Sequence, residues 1–153
     1  MNKNSKKPII YQVLPRLFGN MQPPLKDHGS IKENGSGKLA DFTPEALGAI
    51  RQLGATHVWY TGILEHATRS DYSAYGIPKD HNAVVKGKAG SPYAVKDYYD
   101  VAPDLAVSVP DRMAEFEALV ERTHKAGLKV IIDFVPNHVA RQYHSDAKDP
   151  LVP

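Results

Sequence analysis

Hydrophobic residues dominate three short runs along the chain, and two further segments carry them at helical spacing. The runs cover residues 9–14, 55–61 and 129–135. Their length and near-continuous apolar character predict strands of a parallel sheet. Because each of the last two runs follows a helical segment, strand and helix alternate along the chain. This order predicts an α/β fold with a parallel sheet.

Both predicted helices have start and stop signals. Thr43 predicts the N-cap of the first helix, and Gly54 predicts its end because glycine adopts the left-handed conformation of a C-terminal cap. Ser108, followed three residues later by Asp111, forms a weak capping box before the second helix, which we expect to end at Gly127. Each stop signal lies within a few residues of the next apolar run.

Composition excludes several classes of function. The chain has 153 residues, 42% of them hydrophobic and 24% charged, with a formal net charge of +2, so no basic surface predicts a nucleic-acid partner. The absence of cysteine excludes disulfides and thiolate metal sites. We expect residues 1–8 to form a disordered N-terminus. No signal peptide and no apolar stretch long enough to cross a membrane is present, so we expect a cytoplasmic protein unless a signal has been removed, without a membrane partner.

Two long connections leave the carboxyl ends of the predicted strands. They cover residues 19–42 and 62–110, show little periodicity, and are rich in Gly, Pro, Asp and Tyr. Loops of this length are usually functional or disordered, and α/β folds bind ligands at the carboxyl ends of their strands. We therefore expect the functional site at this end of the sheet.

Phosphate and histidine-metal sites are not predicted. Residues 35–38 are similar to a phosphate-binding loop, but Leu39 stands where a Ser or Thr would bind magnesium. The seven histidines have no spacing typical of a zinc site.

The most informative segment is residues 133–138, directly at the end of the third apolar run. Asp133 loses hydration there and needs a cation or hydrogen-bond donors nearby. Asn137 and His138 follow Pro136, and both side chains suit contacts with hydroxyl groups, whereas the Asn137 carbonyl also suits a hard cation. Two interpretations stay open: a functional site, or local capping by Asp133 beside a surface His138.

This hexapeptide resembles the first conserved region of the alpha-amylase family of glycoside hydrolases, whose catalytic domain is a (β/α)8 TIM barrel. Residues 10–18 and 53–63 are similar to that family's first two strands, and residues 93–101 resemble the loop that follows. The resemblance implies that residues 9–153 supply about the first three strands and two helices of the barrel.

The resemblance also implies roles for individual residues. Tyr93 is implied as the aromatic platform under the sugar at the cleavage point, and His138 as a hydrogen-bond donor to the same sugar. Asp133 is implied as a carboxylate that pairs with an arginine on a later strand and so orients the nucleophile. Asn137 occupies a position that binds a structural calcium in many relatives, although one oxygen falls well short of the six to eight that calcium takes.

Two positions depart from the family pattern. Ser91 and Pro92 stand where many relatives have His-Gly before the platform tyrosine, and Gly62 stands where a proline is common. These differences leave the preferred sugar open.

The resemblance places the nucleophilic Asp and the acid/base Glu on strands that would lie beyond Pro153. We therefore expect this chain to be the N-terminal portion of a longer polypeptide, inactive alone and in need of the remaining barrel. Three parallel strands and two helices leave open edges and one bare face, so we expect marginal stability.

In full length, the expected activity is retaining hydrolysis of α-glucosidic bonds in starch-like glucans or oligosaccharides. One alternative is a transglycosylase or a sucrose- or trehalose-processing member of the same family. Another is a non-catalytic carbohydrate-binding fragment that keeps Tyr93 and His138. A small nucleotide-binding domain is disfavoured because the first turn lacks a glycine-rich motif.

Overall fold

The computed structural model describes residues 7–22 and 25–145, so most of the predicted disordered N-terminus, residues 1–6, lies outside the described residues. The strands are β1 (Ile10–Val13), β2 (His57–Tyr60), β3 (Leu64–His66), β4 (Val95–Val101) and β5 (Lys129–Ile132), and the α-helices are α1 (Ile31–Asn34), α2 (Pro44–Gln52) and α3 (Arg112–Lys125).

Strands β1, β2 and β5 form the parallel sheet that the apolar runs predict. Their order is β1-β2-β5, and their ends are level because Val13 pairs with Tyr60 and Tyr60 pairs with Ile132. Among the described residues, the outer edges of β1 and β5 have no partner strand. Large apolar side chains at these outer strands remain partly exposed, with Ile10 at 49% and Phe134, just past β5, at 74%.

The helices α2 and α3 cover one face of this sheet, where the main core lies. Phe42 is fully buried, stacks on Phe18 with ring centroids 4.2 Å apart, and meets the edge of Tyr60 at 4.9 Å. The Tyr60 hydroxyl and Thr123 Oγ1 are 2.7 Å apart, so the phenol oxygen has a partner inside the core. Packing on this face therefore fixes the strand ends that carry the site.

The predicted helix limits are confirmed except at the start of α3. Thr43 Oγ1 accepts a hydrogen bond from the amide of Ala46, and Gly54 and Gly127 adopt positive φ of 89° and 74°. Helix α3 begins later than Ser108 indicates, because a short 3-10 turn precedes it and the Ser108 amide donates to the Glu115 carboxylate instead. No helix among the described residues is long and apolar enough to span a membrane.

The second long connection is more ordered than its sequence indicates. Strands β3 and β4 lie within it and pair in antiparallel fashion, with Glu65 opposite Asp97 and His66 opposite Val95. The hairpin was not predicted because β4 buries Val95, Lys96 and Asp97 in succession, so polar and apolar positions do not alternate.

The glycine-lysine segment at residues 35–38 serves the packing of the chain. A Cβ on Gly37 would lie 2.1 Å from the carbonyl oxygen of Phe18, so only glycine permits this close approach. Lys38 Nζ donates to the carbonyl oxygens of Asp104 and Ala106 at 2.7 and 3.0 Å. The ammonium group of Lys38 thus contacts backbone carbonyls of the same chain, which is a structural role.

Candidate functional site

A cavity of about 350 Å³ opens at the carboxyl ends of β1 and β2. It is lined by Gln12, Val13, Leu14, Thr61, Pro92 and Tyr93. Tyr93 is 44% exposed, and among the other lining residues Gln12 Nε2 donates to Thr61 Oγ1 at 3.0 Å. Tyr93 therefore lies where α/β folds bind ligands, and its contact with a sugar stays a prediction.

Tyr93 is held in a turn made by its neighbours. The Tyr93 amide donates to Ser91 Oγ at 3.3 Å, and the Ala94 amide donates to the Ser91 carbonyl oxygen at 2.9 Å. A serine side chain commonly closes such turns on its own backbone. The turn leads directly into β4, so the aromatic ring stands on an anchored part of the long connection.

Asp133 joins the ends of two neighbouring strands. Its Oδ1 accepts a hydrogen bond from Trp59 Nε1 and its Oδ2 accepts one from the Gly62 amide, both at 2.7 Å. Both donors are distant in sequence, so among the described residues these contacts are not the local backbone capping that was one of the two interpretations. Two contacts leave further acceptor sites on a carboxylate, so the arginine partner implied by the resemblance stays a prediction.

The conformation of Gly62 explains why proline is absent at this position. Its φ is +77°, whereas a proline ring fixes φ near −65° and has no N–H to donate to Asp133. A side chain at this position would also meet Pro92, since a Cβ built on Gly62 lies 2.5 Å from Pro92 Cβ. The two departures from the family pattern are therefore in contact with each other.

Asn137 and His138 lie beyond β5 on an exposed segment. The Tyr98 hydroxyl holds this segment by donating to the Val135 carbonyl oxygen, and it lies 3.5 Å from the His138 carbonyl oxygen. Neither Asn137 nor His138 lines the cavity beside Tyr93. The structure thus does not bring the predicted sugar contacts into one pocket, and their roles stay predictions.

Arg16 and His66 form a contact that the sequence did not indicate. Arg16 Nη2 lies 2.5 Å from His66 Nε2 and donates to the Ala89 carbonyl oxygen at 2.9 Å. Since His66 Nδ1 lies 3.1 Å from the Leu64 carbonyl oxygen, the neutral ring donates from Nδ1 and accepts at Nε2. Burial, and then the neighbouring Arg16 charge, lower the pKa of His66. The only sequence signal was an arginine three residues after the end of β1.

Lys96, near the start of β4, is buried among acidic groups. Its Nζ lies 3.4 Å from Glu65 Oε1 and 3.5 Å from Asp80 Oδ2, and it donates to the Pro78 carbonyl oxygen. All three charged side chains are at most 3% exposed. The ammonium therefore sits in a cage of oxygen atoms that is closed to solvent.

One group of acidic side chains in the described part of the chain has the spacing of a metal site. Ligand atoms of Glu65, Asp97 and Asp100 all lie within 4.8 Å of one another. Arg112, however, donates to Asp100 from both Nε and Nη2, and Lys96 lies beside Glu65. Two cations of the chain therefore already pair with members of this group, so it fits an ion-pair network better than a calcium site. Asn137 is not one of its members.

Comparisons with known proteins agree with this geometry. A family model described as alpha amylase, catalytic domain, matches residues 12–149. An alpha-glucosidase of Culex pipiens is 37% identical over 145 residues, covering 92% of this chain and 19% of the relative. An amino acid transporter heavy chain of Rattus norvegicus is 31% identical over 135 residues, covering 88% of this chain and 14% of the relative.

A crystal structure of an alpha-amylase from Lactobacillus plantarum superposes with a TM-score of 0.60 at 27% identity, covering 88% of this chain and 24% of that chain. The predicted α/β fold and its place in a (β/α)8 barrel are confirmed. The chain spans about 18% of the length of the first curated relatives it matches.

Proposed function

The chain belongs to the alpha-amylase family, and on that premise we propose that its described residues form the sugar-facing part of a glycoside hydrolase that cleaves α-glucosidic bonds. The observation that carries this proposal is the cavity at the ends of β1 and β2, with Tyr93 on its wall. An aromatic ring covers the C–H face of a pyranose while the sugar hydroxyls stay free for hydrogen bonds.

The polar groups of the cavity suit hydroxyl ligands. Gln12 uses its amide nitrogen on Thr61 at 3.0 Å, which leaves its carbonyl oxygen available to accept from a sugar hydroxyl. We propose that His138 donates to the same sugar once further strands complete the pocket.

The reaction itself needs two carboxylates. A retaining glycosidase uses one as nucleophile and one as acid/base, about 5–5.5 Å apart. No carboxylate is among the described residues that line the cavity, which supports placing both catalytic groups on other strands of a longer polypeptide. In this proposal the present chain binds and orients the sugar, and Asp133 helps to hold an arginine of a later strand.

A non-catalytic, carbohydrate-binding role is the second candidate. It is favoured by the carboxylate-free cavity and by the relative named as an amino acid transporter heavy chain, which shows that the family's sequence pattern also occurs in proteins named for another role. Both candidates predict sugar binding, but only the glycoside hydrolase predicts turnover of the sugar.

Calorimetric titration of residues 1–153 with maltooligosaccharides tests the shared part of both candidates. We expect binding that Tyr93→Ala abolishes, whereas Tyr75→Ala, which removes a tyrosine of similar exposure (51%) in the same connection, leaves it unchanged. Equal binding by both variants would contradict the role of Tyr93, and no binding by residues 1–153 would contradict the carbohydrate-binding candidate.

Turnover then separates the candidates. The complete polypeptide that carries these residues should be incubated with starch, maltooligosaccharides, sucrose and trehalose. Release of products supports the enzyme and identifies its substrate, and release of a new oligosaccharide identifies a transglycosylase. Sugar binding without turnover of any of them supports the non-catalytic role.

Asn137 stays a predicted calcium ligand. We propose to measure calcium binding to the complete polypeptide before and after Asn137→Ala. A site at this position predicts at least a tenfold weaker affinity in the variant, because a lost ligand oxygen is not replaced. Unchanged calcium affinity in the variant would remove Asn137 from the site.

A further inference from the structure

Pro92, which lines the cavity next to Tyr93, meets Gly62, whose amide donates to the Asp133 carboxylate. A Cβ on Gly62 would lie 2.5 Å from Pro92 Cβ and 3.5 Å from Pro92 Cγ, so the proline ring occupies the space of the missing side chain. We infer that Pro92, seated on Gly62, is a positioning residue that sets where Tyr93 stands relative to Asp133.

The contacts form a continuous path from one strand end to the aromatic ring. The Gly62 amide is fixed by Asp133 Oδ2 at 2.7 Å, and the same carboxylate binds Trp59 Nε1 at 2.7 Å. Pro92 packs on Gly62 and precedes Tyr93 directly in the chain. A displacement of Gly62 therefore moves the turn that carries Tyr93, and a change in that turn displaces the Asp133 carboxylate.

Both residue types are needed for this contact. A positive φ of 77° with no room for a Cβ requires glycine at position 62. The fixed φ of a proline makes the turn rigid, so Tyr93 loses less conformational freedom when it binds a ligand. Pro92 and Leu14, whose Cδ1 would lie 3.7 Å from a Cβ on Gly62, also give this wall an apolar surface.

Trp59 provides a readout that needs no ligand. It is the only tryptophan of the chain, and its indole N–H is bonded to Asp133, so its emission reports on the carboxylate. We expect Gly62→Ala and Pro92→Gly each to shift this emission, because either change disturbs the path that ends at Asp133. Pro110→Gly, at an exposed proline before α3, is the control and should leave the emission unchanged. Unchanged emission in both site variants would overturn the inference.

The second readout is sugar affinity, and this part rests on the proposed function. We expect Pro92→Gly to weaken maltooligosaccharide binding about tenfold, which corresponds to about 1.4 kcal/mol. The double variant Gly62→Ala/Pro92→Gly should bind no worse than Gly62→Ala alone, because the two residues act through one contact. If the fold-loss of affinity in the double variant equals the product of the two single fold-losses, the inference is overturned.

The two failures are distinguishable. If the complete polypeptide binds no sugar while the Trp59 emission of residues 1–153 still shifts in both site variants, the coupling stands and the proposed function fails. Equal thermal midpoints of the Pro92 and Pro110 variants, together with a loss of affinity only in the former, support positioning over a general loss of stability.

Discussion

Replacing Lys96 by methionine would leave two buried carboxylates without their cation. The lysine side chain is 3% exposed and those of Glu65 and Asp80 are 2% exposed, with nitrogen-oxygen distances of 3.4 and 3.5 Å. At an effective dielectric constant of about 20, each pair interacts by about 5 kcal/mol before desolvation is subtracted. Removing one member of a buried pair typically costs about 3–5 kcal/mol of unfolding free energy, which is the expected loss here.

Urea denaturation of residues 1–153, followed by circular dichroism at pH 7, measures this loss. With a slope of about 2 kcal/mol per M, the midpoint should fall by about 2 M, and a parent chain that is stable by less than this loss should give a variant that is unfolded without urea. Lys125→Met is a matched control, because Lys125 also pairs with a glutamate, Glu121 at 2.7 Å, but both side chains are about 70% exposed. Exposed pairs contribute little, so this variant should unfold like the parent.

The reasoning is refuted if Lys96→Met and Lys125→Met have the same midpoint. That result would mean that the buried carboxylates take up protons or rearrange at no cost. A fall confined to Lys96→Met would show that an internal ammonium stabilises the β3–β4 hairpin.

Three further predictions concern stability. Gly90→Ala should prevent cooperative unfolding at 25 °C, because its Cβ would lie 1.8 Å from the Ala67 carbonyl oxygen. Gly76→Ala is the control, since Gly76 has a positive φ but open space around it, and it should cost only about 1–2 kcal/mol of unfolding free energy. Similar losses of unfolding free energy in the two variants would contradict this prediction. The free energy of unfolding should fall as the pH drops below about 6.5, by at most about 1.4 kcal/mol per pH unit. Burial lowers the pKa of His66, so over this range only the unfolded chain takes up the proton. Denaturation of His66→Gln at several pH values should show a flatter dependence of the unfolding free energy on pH. Phe42→Ala should cost about 3–5 kcal/mol in urea denaturation, and a loss below 1 kcal/mol would show that its stacked ring is not part of a tight core.

The regular elements could be predicted because their signals are local. Apolar runs gave β1, β2 and β5, and the positive φ of Gly54 and Gly127 is what their positions after a helix predict. The hairpin could not be predicted, since β4 buries charged residues that are stabilised only by groups distant in sequence. Lys96, for example, is held by Glu65 and Asp80, which no local pattern connects to it.

In the candidate site, too, the sequence predicted individual residues but not the contacts between residues that are distant in sequence. Tyr93 and Asp133 were identified by motif and lie at strand ends, yet the indole and amide donors of Asp133 come from Trp59 and Gly62, more than 70 residues earlier in the chain (|i−j| of 74 and 71). Their contact depends on the parallel register of β2 and β5, which fixes which strand ends meet. The motifs therefore predicted Tyr93 and Asp133, and only the fold shows which groups Asp133 contacts.

The open edges of β1 and β5 have a consequence for how the chain behaves at high concentration. Unpaired N–H and C=O groups flanked by Ile10 and Phe134 are a template on which a second copy can add its own strand. We therefore expect the isolated chain to aggregate as its concentration rises, with light scattering increasing before any loss of secondary structure. Purification in dilute solution, or charged substitutions along these edges, should keep it dispersed.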